Sequence, residues 1–173
     1  MLQGNLLKIM ELFFEEPSRS FQLREISRLT KIAPTSVKRY LQELLKQVLI
    51  KKIKGNIYPS YIANQESRLY RLHKQQTIIK KLYSSGLIDF LEDNLHPPCI
   101  ILFGSAREGE HVKNSDVDMF VQTKEKRISL KHYEKILKHK INIFFEDDLN
   151  RLSKELFNNI INGIKLSGYL KIR

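Results

Sequence analysis

The sequence is poor in cysteine and has no long apolar run. Its only cysteine among 173 residues is Cys99, so an internal disulfide is excluded and a reducing compartment is expected. No apolar stretch approaches the roughly 20 residues that a membrane-spanning helix needs. The first residues also lack the basic start and the cleavage site of a signal peptide. We therefore expect a cytoplasmic protein that does not enter a membrane.

Other absences argue against a repeat protein and against a zinc site. The sequence contains no internal repeat and no low-complexity segment. Its five histidines show no spacing typical of a zinc site, and we expect them on the surface or in loops. A chain of 173 residues is long enough for one domain or two small ones.

Basic residues are what the sequence has in excess. The chain has 30 lysines and arginines against 19 acidic residues, which gives a net charge of +11. Such a charge predicts a polyanionic partner, through attraction and through counterion release on binding. The excess is denser toward the N-terminus, where residues 1–63 hold 11 basic and 5 acidic side chains.

The N-terminal part of the chain shows three helical patterns. Apolar residues recur at helical spacing over residues 6–14, 21–29 and 37–48. Pro17 ends the first pattern, because proline cannot continue a helix. Pro34 stands where the third helix would begin, a position that proline favours.

A basic hairpin is predicted directly after the third helix. Two strand-like segments, 49–54 and 57–61, flank Gly55-Asn56, a pair that suits a tight turn. Donor side chains are concentrated on the polar face of the third helix and on the first hairpin strand: Thr35, Ser36, Lys38, Arg39, Gln42, Lys51, Lys52 and Lys54. Their donors and charges suit phosphates and base edges.

Three helices followed by a basic hairpin resemble the winged helix-turn-helix family of DNA-binding domains over residues 1–62. The resemblance implies DNA as a partner, contacted by the donor residues of the third helix and the hairpin. One alternative is a small helical domain whose solvated face is basic. Another is a domain that presents a protein or RNA substrate to the second half of the chain.

Residues 63–86 are predicted to connect two domains. Residues 64–83 have the pattern of a polar helix with a narrow apolar stripe, and Ser84-Ser85-Gly86 ends that pattern. A narrow apolar stripe indicates packing against a second copy of the same helix. We therefore expect a homodimer.

Residues 87–173 show the mixture of patterns expected of a domain with a sheet and helices. After an amphipathic helix from Leu87 to Leu95, short apolar runs predict strands at 100–103, 117–121 and 141–145. Helical spacing predicts a covering helix over 130–139 and a closing helix over 149–164. The whole chain is thus predicted to be α+β, with a connector helix between its two domains.

The most specific chemical signal follows the first predicted strand of this second domain. Gly104-Ser105 comes directly after that strand, and ten residues separate it from Asp116-Val117-Asp118. Acids one residue apart on a strand point the same way, so Asp116 and Asp118 are placed to hold one divalent cation. A glycine-serine turn lets backbone amides approach a phosphate. The pattern therefore predicts nucleotide chemistry.

This arrangement closely resembles the nucleotidyltransferase superfamily that includes DNA polymerase beta, and above all its minimal members, over residues 87–173. The resemblance implies that Gly104 and Ser105 hold a nucleoside triphosphate. It also implies that Asp116 and Asp118 bind Mg²⁺ or Mn²⁺ as catalytic residues, for transfer of a nucleoside monophosphate to a hydroxyl acceptor. Arg107 is the first candidate for a further phosphate contact, and a solvated surface arginine is the alternative.

One position departs from the pattern of that superfamily. Active members usually add a third carboxylate from the next strand, and the matching residue here is Asn142. An amide can offer a carbonyl oxygen to a metal, but it carries no charge and cannot act as a base. Glu146, Asp147 and Asp148 lie just beyond that strand, where we expect them to cap a helix.

The missing carboxylate leaves two hypotheses about function. The first is a nucleotidyltransferase with a DNA-binding domain. The second is a DNA-binding transcriptional regulator whose nucleotidyltransferase-like domain is catalytically impaired and serves to sense a nucleotide or to dimerise. Nucleotide binding is expected under the first hypothesis and is compatible with the second.

Overall fold

The computed structural model describes residues 2, 4–54, 58–97 and 99–172. Over this part of the chain, eight α-helices, one 3-10 helix and seven strands form an α+β structure, as the sequence predicts. The chain divides into two compact units, residues 1–74 and 75–173. No helix within the described segments is long and apolar enough to cross a membrane.

The N-terminal unit combines three helices with a three-stranded antiparallel sheet. Its elements are α1 (Gly4–Glu15), β1 (Phe21–Gln22), α2 (Leu23–Thr30), α3 (Pro34–Lys46), β2 (Ile50–Ile53) and β3 (Ser60–Ala63). The strand order is β1-β3-β2, with Phe21 opposite Tyr61 and Ile50 opposite Ala63. The predicted turn Gly55-Asn56 and the predicted strand start at Ile57 lie outside the described residues.

The prediction was wrong at the start of the second helix. Phe21 and Gln22 form β1, and α2 begins only at Leu23. The Phe21 ring lies edge-on to the Phe13 ring, with centroids 5.4 Å apart, and its backbone pairs with β3. Both partners are distant in sequence, so local helical spacing could not reveal them.

The third helix has the predicted start and the predicted apolar face. Pro34 occupies its first turn, and Val37, Leu41 and Leu44 are buried. Proline at this position costs nothing, since its missing N–H would have no partner within the helix. The opposite face of α3 is thereby left in solvent.

Helix α4 (Arg68–Ser84) contains the division between the two units, which falls after Lys74. Within the first unit, the Tyr70 hydroxyl donates a hydrogen bond of 2.7 Å to the Phe13 carbonyl oxygen. Gly86, with φ of +78°, separates α4 from α5 (Leu87–Leu95). A positive φ is easily adopted by glycine, which explains why the helical pattern breaks there.

The second unit is built on a four-stranded mixed sheet. Its further elements are β4 (Cys99–Phe103), α6 (Gly104–Glu108), β5 (Val117–Val121), α7 (Lys131–Leu137), β6 (Ile141–Phe145), a 3-10 helix (Leu149–Arg151), α8 (Lys154–Ile161) and β7 (Ile164–Gly168). The strand order is β6-β5-β4-β7, in which β5 and β6 are parallel and the other pairs antiparallel. The three predicted strands therefore lie side by side.

The predicted closing helix over 149–164 needs correction. This segment forms the 3-10 helix, α8 and then the start of β7, with Ile164 opposite Leu102 of β4. Gly163 allows the chain to pass from α8 into β7 close to β4. A Cβ at this position would lie 2.3 Å from Ile101 Cγ2 and 2.8 Å from the Leu102 carbonyl oxygen. Only a residue without a side chain fits so close to β4.

Both faces of this sheet are covered. Alternate residues of β4 enter different apolar clusters, Ile100 and Leu102 on one face and Ile101 and Phe103 on the other. This is why the strand reads as a continuous apolar run rather than an alternating one. Asp118, the second residue of β5, interrupts such a run and is half-buried.

Candidate active site

Three strand ends meet at one edge of the second unit's sheet. The last residue of β4, Phe103, lies opposite Asp118 of β5, and Asp118 lies beside Asn142 of β6. The turn that follows β4 therefore faces the carboxylates at the start of β5. The sequence separates these residues widely, and the strand pairing brings them together.

Gly104 contacts the Asp118 carboxylate directly. It begins α6 with φ of +69°, and a Cβ on Gly104 would lie 2.5 Å from Asp118 Oδ2. Both the backbone conformation and the space thus require glycine. The first amides of a helix have no partner within it, so α6 presents amides beside a carboxylate. Ser105, the next residue, is half-buried.

Asp116 and Asp118 are placed differently. Asp116 is exposed just before β5, Asp118 is half-buried in the strand, and Val117 between them is fully buried. Val117 is therefore buried as predicted, but Asp116 lies one residue before the strand and not within it. Among the described residues no group donates a hydrogen bond to the Asp116 carboxylate. Its Oδ atoms thus remain available to a ligand.

The loop before Asp116 is held by other residues. The Ser115 hydroxyl accepts a hydrogen bond of 3.1 Å from the Val112 N–H, and His139 Nδ1 lies 3.0 Å from the Ser115 carbonyl oxygen. The Val117 N–H donates to the Lys140 carbonyl oxygen at 2.8 Å. An aspartate in such a turn often accepts a hydrogen bond from the local backbone. Here Ser115 accepts that hydrogen bond and Asp116 does not.

Asn142 of β6 lies next to Asp118 of β5. Its side-chain amide donates a hydrogen bond of 3.1 Å from Nδ2 to Asp118 Oδ1. In this geometry the residue acts as a donor that holds the carboxylate. A third carboxylate at the same place would instead repel Asp118 unless a cation lay between them.

The acids beyond β6 are engaged in local contacts. The Asp148 carboxylate accepts a hydrogen bond of 3.0 Å from the Asn150 N–H and begins the 3-10 helix. Hydrogen bonds from Asn150 hold the pKa of Asp148 below its ordinary value, with a smaller contribution from Arg151. Glu146 and Asp147 lie 3.7 Å and 3.6 Å from Arg151. Capping and ion pairing therefore account for all three acids.

Arg107 lies on α6 but is held by protein groups. Its guanidinium donates a hydrogen bond of 2.5 Å to the Asn162 carbonyl oxygen and pairs with Glu108. Its own carbonyl oxygen accepts a hydrogen bond from Gln75. A phosphate contact would have to replace or share these partners, so this role stays a prediction.

The donor set at the sheet edge fits one divalent cation. Among the described residues, no group of three or more His, Cys, Asp or Glu side chains is arranged to hold a metal. Mg²⁺, however, is commonly held by one or two carboxylates together with substrate phosphates and water. Asp116 and Asp118 meet that requirement for a single ion, and Asn142 adds no charge for a second.

A cavity of about 530 Å³ opens beside Asp116, and the sequence interpretation had missed it. Its lining comes from the loop before β5, from α7 and from the turn into β6: Asn114, Asp116, Glu134, Lys135, Lys138, His139 and Lys140. The sequence signal was the lysine-rich stretch 135–140 directly before β6. Helical spacing alone had marked that stretch only as the end of a covering helix.

In the N-terminal unit, the predicted DNA-contacting side chains of α3 are accessible. Thr35, Lys38, Arg39 and Gln42 are exposed, and Ser36 is half-buried. The Arg39 guanidinium lies over the Tyr40 ring, 5.1 Å from its centroid. Four of the five helix residues therefore present donors to solvent.

The three predicted hairpin lysines do not share one surface. Lys51 and Lys52 are adjacent on β2, so their side chains point to opposite faces of the sheet. All three lysines are exposed, and Lys51 forms an ion pair of 2.5 Å with Glu66. A ligand on one face of the hairpin would therefore meet Lys52 without Lys51.

Comparison with known proteins gave one match, which lies within the second unit. The family model described as "Polymerase beta, Nucleotidyltransferase" matches residues 85–168. The match covers the Gly104-Ser105 turn, both aspartates and Asn142, and it supports a nucleotidyltransferase-like activity for this domain. No curated protein and no solved structure gave a significant match.

Proposed function

We propose that the protein is a nucleotidyltransferase that transfers a nucleoside monophosphate from a nucleoside triphosphate to a hydroxyl acceptor. The observation that carries the proposal is the close approach of Gly104 to the Asp118 carboxylate, where a Cβ on Gly104 would lie 2.5 Å from Asp118 Oδ2. A glycine-serine turn against this carboxylate, with Asp116 two residues before Asp118 in the sequence, suits a triphosphate and its cation. The family match to residues 85–168 agrees with this chemistry.

The proposed roles follow from what each group can do. Backbone amides of Gly104 and Ser105 would hold the triphosphate, with Arg107 as a further contact. Asp116 and Asp118 would hold one Mg²⁺ or Mn²⁺, which when bound neutralises charge on the phosphate oxygens. The acceptor oxygen bonds to the α-phosphorus, the bond to the pyrophosphate oxygen breaks, and the hydroxyl proton passes to solvent, since Asn142 cannot accept it.

A second candidate function is favoured by the Asn142 hydrogen bond to Asp118. With an amide in place of a third carboxylate, the domain would bind a nucleotide and transfer it slowly or not at all. The protein would then be a nucleotide-sensing regulator. Both functions require nucleotide binding at the same turn, so turnover is the property that separates them.

The experiment that tests the first function uses the full chain with a nucleoside triphosphate labelled at the α-phosphorus. We expect labelled product and pyrophosphate in the presence of Mg²⁺, and their loss in the Asp118→Asn variant. We also expect nucleotide affinity to fall by about tenfold or more in that variant. Asp93→Asn, which alters an exposed acid of α5, is the matched control and should change neither. Nucleotide binding without transfer to any acceptor would favour the regulator.

We also propose that the N-terminal unit is a winged helix-turn-helix domain that binds DNA. In its support, the element order α1-β1-α2-α3-β2-β3 places a polar, cationic helix before a hairpin whose first strand carries Lys51 and Lys52. Residues 1–63 also hold the denser part of the +11 net charge.

Homodimerisation through α4 is a further proposal. Leu69 and Leu72 of this helix are 39% and 45% exposed, and light scattering of the full chain would test whether it dimerises.

A further inference from the structure

The proposed transfer reaction assigns no role to the lysine-lined cavity beside Asp116. Strand β5 lies between β4 and β6 in the sheet, with the Gly104-Ser105 turn on its β4 side. The cavity lies on the other side, between the loop before β5, α7 and the start of β6. A triphosphate held by Gly104 and Ser105 leaves this flank open to the second substrate.

The charge of the cavity selects the kind of substrate. Lys135, Lys138 and Lys140 are exposed, and none of them forms an ion pair with an acid in the described part of the chain. The two acids of the lining are differently engaged. Glu134 Oε1 accepts a hydrogen bond of 3.1 Å from the Ile141 N–H, and Asp116 is assigned to the cation. The lining therefore carries three lysine charges against two carboxylate charges, and a cation held by Asp116 would add to the positive excess that attracts an anion and repels a cationic acceptor.

The backbone that carries two of these lysines is held in place. His139, between Lys138 and Lys140, is 4% exposed, and its ring lies 5.6 Å from the His111 ring and bonds to the Ser115 carbonyl. Lys138 ends α7 with φ of +60°. The backbone of Lys138 and Lys140 is therefore fixed, so binding of an anion has to order only the lysine side chains.

The cavity has room for a small acceptor. A volume of about 530 Å³ lies within the range of roughly 300–1,000 Å³ that is usual for small-molecule sites. It suits one sugar and one phosphate, either as a free sugar phosphate or as the terminal nucleotide of a longer chain. Lysine ammonium groups bind phosphate as point charges and do not require one fixed orientation.

We propose that this cavity binds the hydroxyl acceptor and that the acceptor carries a phosphate group one sugar away from the hydroxyl. The inference rests on the proposed nucleotidyltransferase function and deepens it by assigning the acceptor class. The phosphate lies among Lys135, Lys138 and Lys140, and the hydroxyl points toward Asp116. Neutral acceptors bind weakly, and amino sugars are excluded by the same lysines.

The test compares two variants of the full chain that lose the same charge. One is Lys135→Gln/Lys138→Gln/Lys140→Gln, and the control is Lys80→Gln/Lys124→Gln/Lys154→Gln, three exposed lysines of the same unit outside the cavity lining. The probes are ribose 5-phosphate, ribose, glucosamine and a dinucleotide with a free 3′-hydroxyl. Binding is measured by ligand-observed NMR with Mg²⁺ and a non-transferable nucleotide analogue, and transfer by label from the α-phosphorus. Thermal unfolding verifies that both variants fold.

We expect ribose 5-phosphate or the dinucleotide to bind the wild type and to lose about tenfold or more in affinity in the cavity variant. The control should stay within about twofold, and nucleotide affinity should stay within about twofold in both variants. Binding of only one of the two phosphate probes would identify the source of the phosphate.

Three results would overturn the inference. One is equal binding of ribose, glucosamine and ribose 5-phosphate. Another is loss of nucleotide affinity in the cavity variant with acceptor binding unchanged, which would assign the lysines to the triphosphate. The third is transfer that proceeds equally in the cavity variant and the control. Failure of the proposed function looks different, because phosphate probes would still bind in a lysine-dependent way while no label is transferred.

Discussion

Gly104 links the backbone conformation of the candidate site to the position of a carboxylate. Gly86 also has a positive φ, of +78°, but a Cβ there would meet nothing within 4 Å. At Gly104, with φ of +69°, a Cβ would meet Asp118 Oδ2 at 2.5 Å. An alanine at either position would therefore have a strained backbone conformation. Only an alanine at position 104 would also collide with Asp118.

We predict that Gly104→Ala abolishes Mg²⁺-dependent nucleotide binding, whereas Gly86→Ala leaves it intact. Strain in the left-handed region should lower the free energy of unfolding by about 1–2 kcal/mol in each variant. Only Gly104→Ala should also displace the Asp118 carboxylate. Nucleotide titrations and chemical denaturation measure the two effects. Normal nucleotide affinity in Gly104→Ala would contradict the placement of the triphosphate at this turn.

A second prediction concerns Asn142. Replacing it by aspartate removes the hydrogen bond to Asp118 Oδ1 and places two carboxylates side by side. Without a cation, we expect Asn142→Asp to lower the melting temperature, since the like charges repel. With Mg²⁺ or Mn²⁺, we expect a larger rise in melting temperature than in the wild type. The control is Asn142→Ala, which removes the hydrogen bond and adds no charge.

Transfer rates in Asn142→Asp would also separate the two candidate functions. If the wild type transfers poorly because it lacks a third carboxylate, the variant should transfer faster by about tenfold or more. An unchanged rate together with measurable wild-type transfer would mean that two carboxylates suffice. The measurement is the initial rate of label transfer at saturating Mg²⁺.

At the scale of elements, one hydrogen bond fixes the start of α4 to α1 within the first unit. Tyr70 is 1% exposed, and its hydroxyl donates to the Phe13 carbonyl oxygen at 2.7 Å. We predict that Tyr70→Phe lowers the free energy of unfolding by about 1–3 kcal/mol, because a buried carbonyl loses its partner. Tyr58, 57% exposed, supplies the control, and Tyr58→Phe should stay within about 0.5 kcal/mol. Equal effects of both substitutions would show that the bond contributes nothing.

The same residue predicts a pH dependence. Burial raises the pKa of the Tyr70 hydroxyl above its ordinary value of 10.0. As the pH rises, the unfolded chain therefore loses the Tyr70 proton before the folded chain does. The contribution of Tyr70 to the free energy of unfolding is fully present below pH 10.0 and is lost as the pH rises further. Denaturation curves at increasing alkaline pH should show a smaller loss in Tyr70→Phe than in the wild type. A parallel decline in both proteins would contradict the prediction.

At the scale of the whole molecule, the net charge of +11 predicts how DNA binding should depend on salt. The logarithm of the affinity should fall linearly with the logarithm of salt concentration. Lys38→Ala, at an exposed residue of α3, should weaken binding and reduce the slope by about 1. Lys80→Ala removes an equal charge from α4 and should change neither. A flat salt response would argue against DNA binding, and equal effects of both substitutions would place the DNA away from α3.

The sequence by itself determined the features that depend on near neighbours along the chain. Apolar spacing located α1, α3 and α5, and short apolar segments located β4, β5 and β6. Alternation along the strand, together with the resemblance to the superfamily, singled out Asn142, and the structure places it beside Asp118. The glycine-serine turn and the paired aspartates were also visible, because their spacing is local.

Only the tertiary structure decided the features that depend on contacts between distant segments. Phe21 belongs to a strand because it meets Phe13 and β3, and Ile164 begins β7 because Gly163 can approach β4. The lysine-lined cavity exists because the turn after α7 is fixed beside the loop before Asp116. Periodicity reports which face of an element is apolar, but it does not report which element covers that face. Pairing across the sheet supplied that information and brought the parts of the site together.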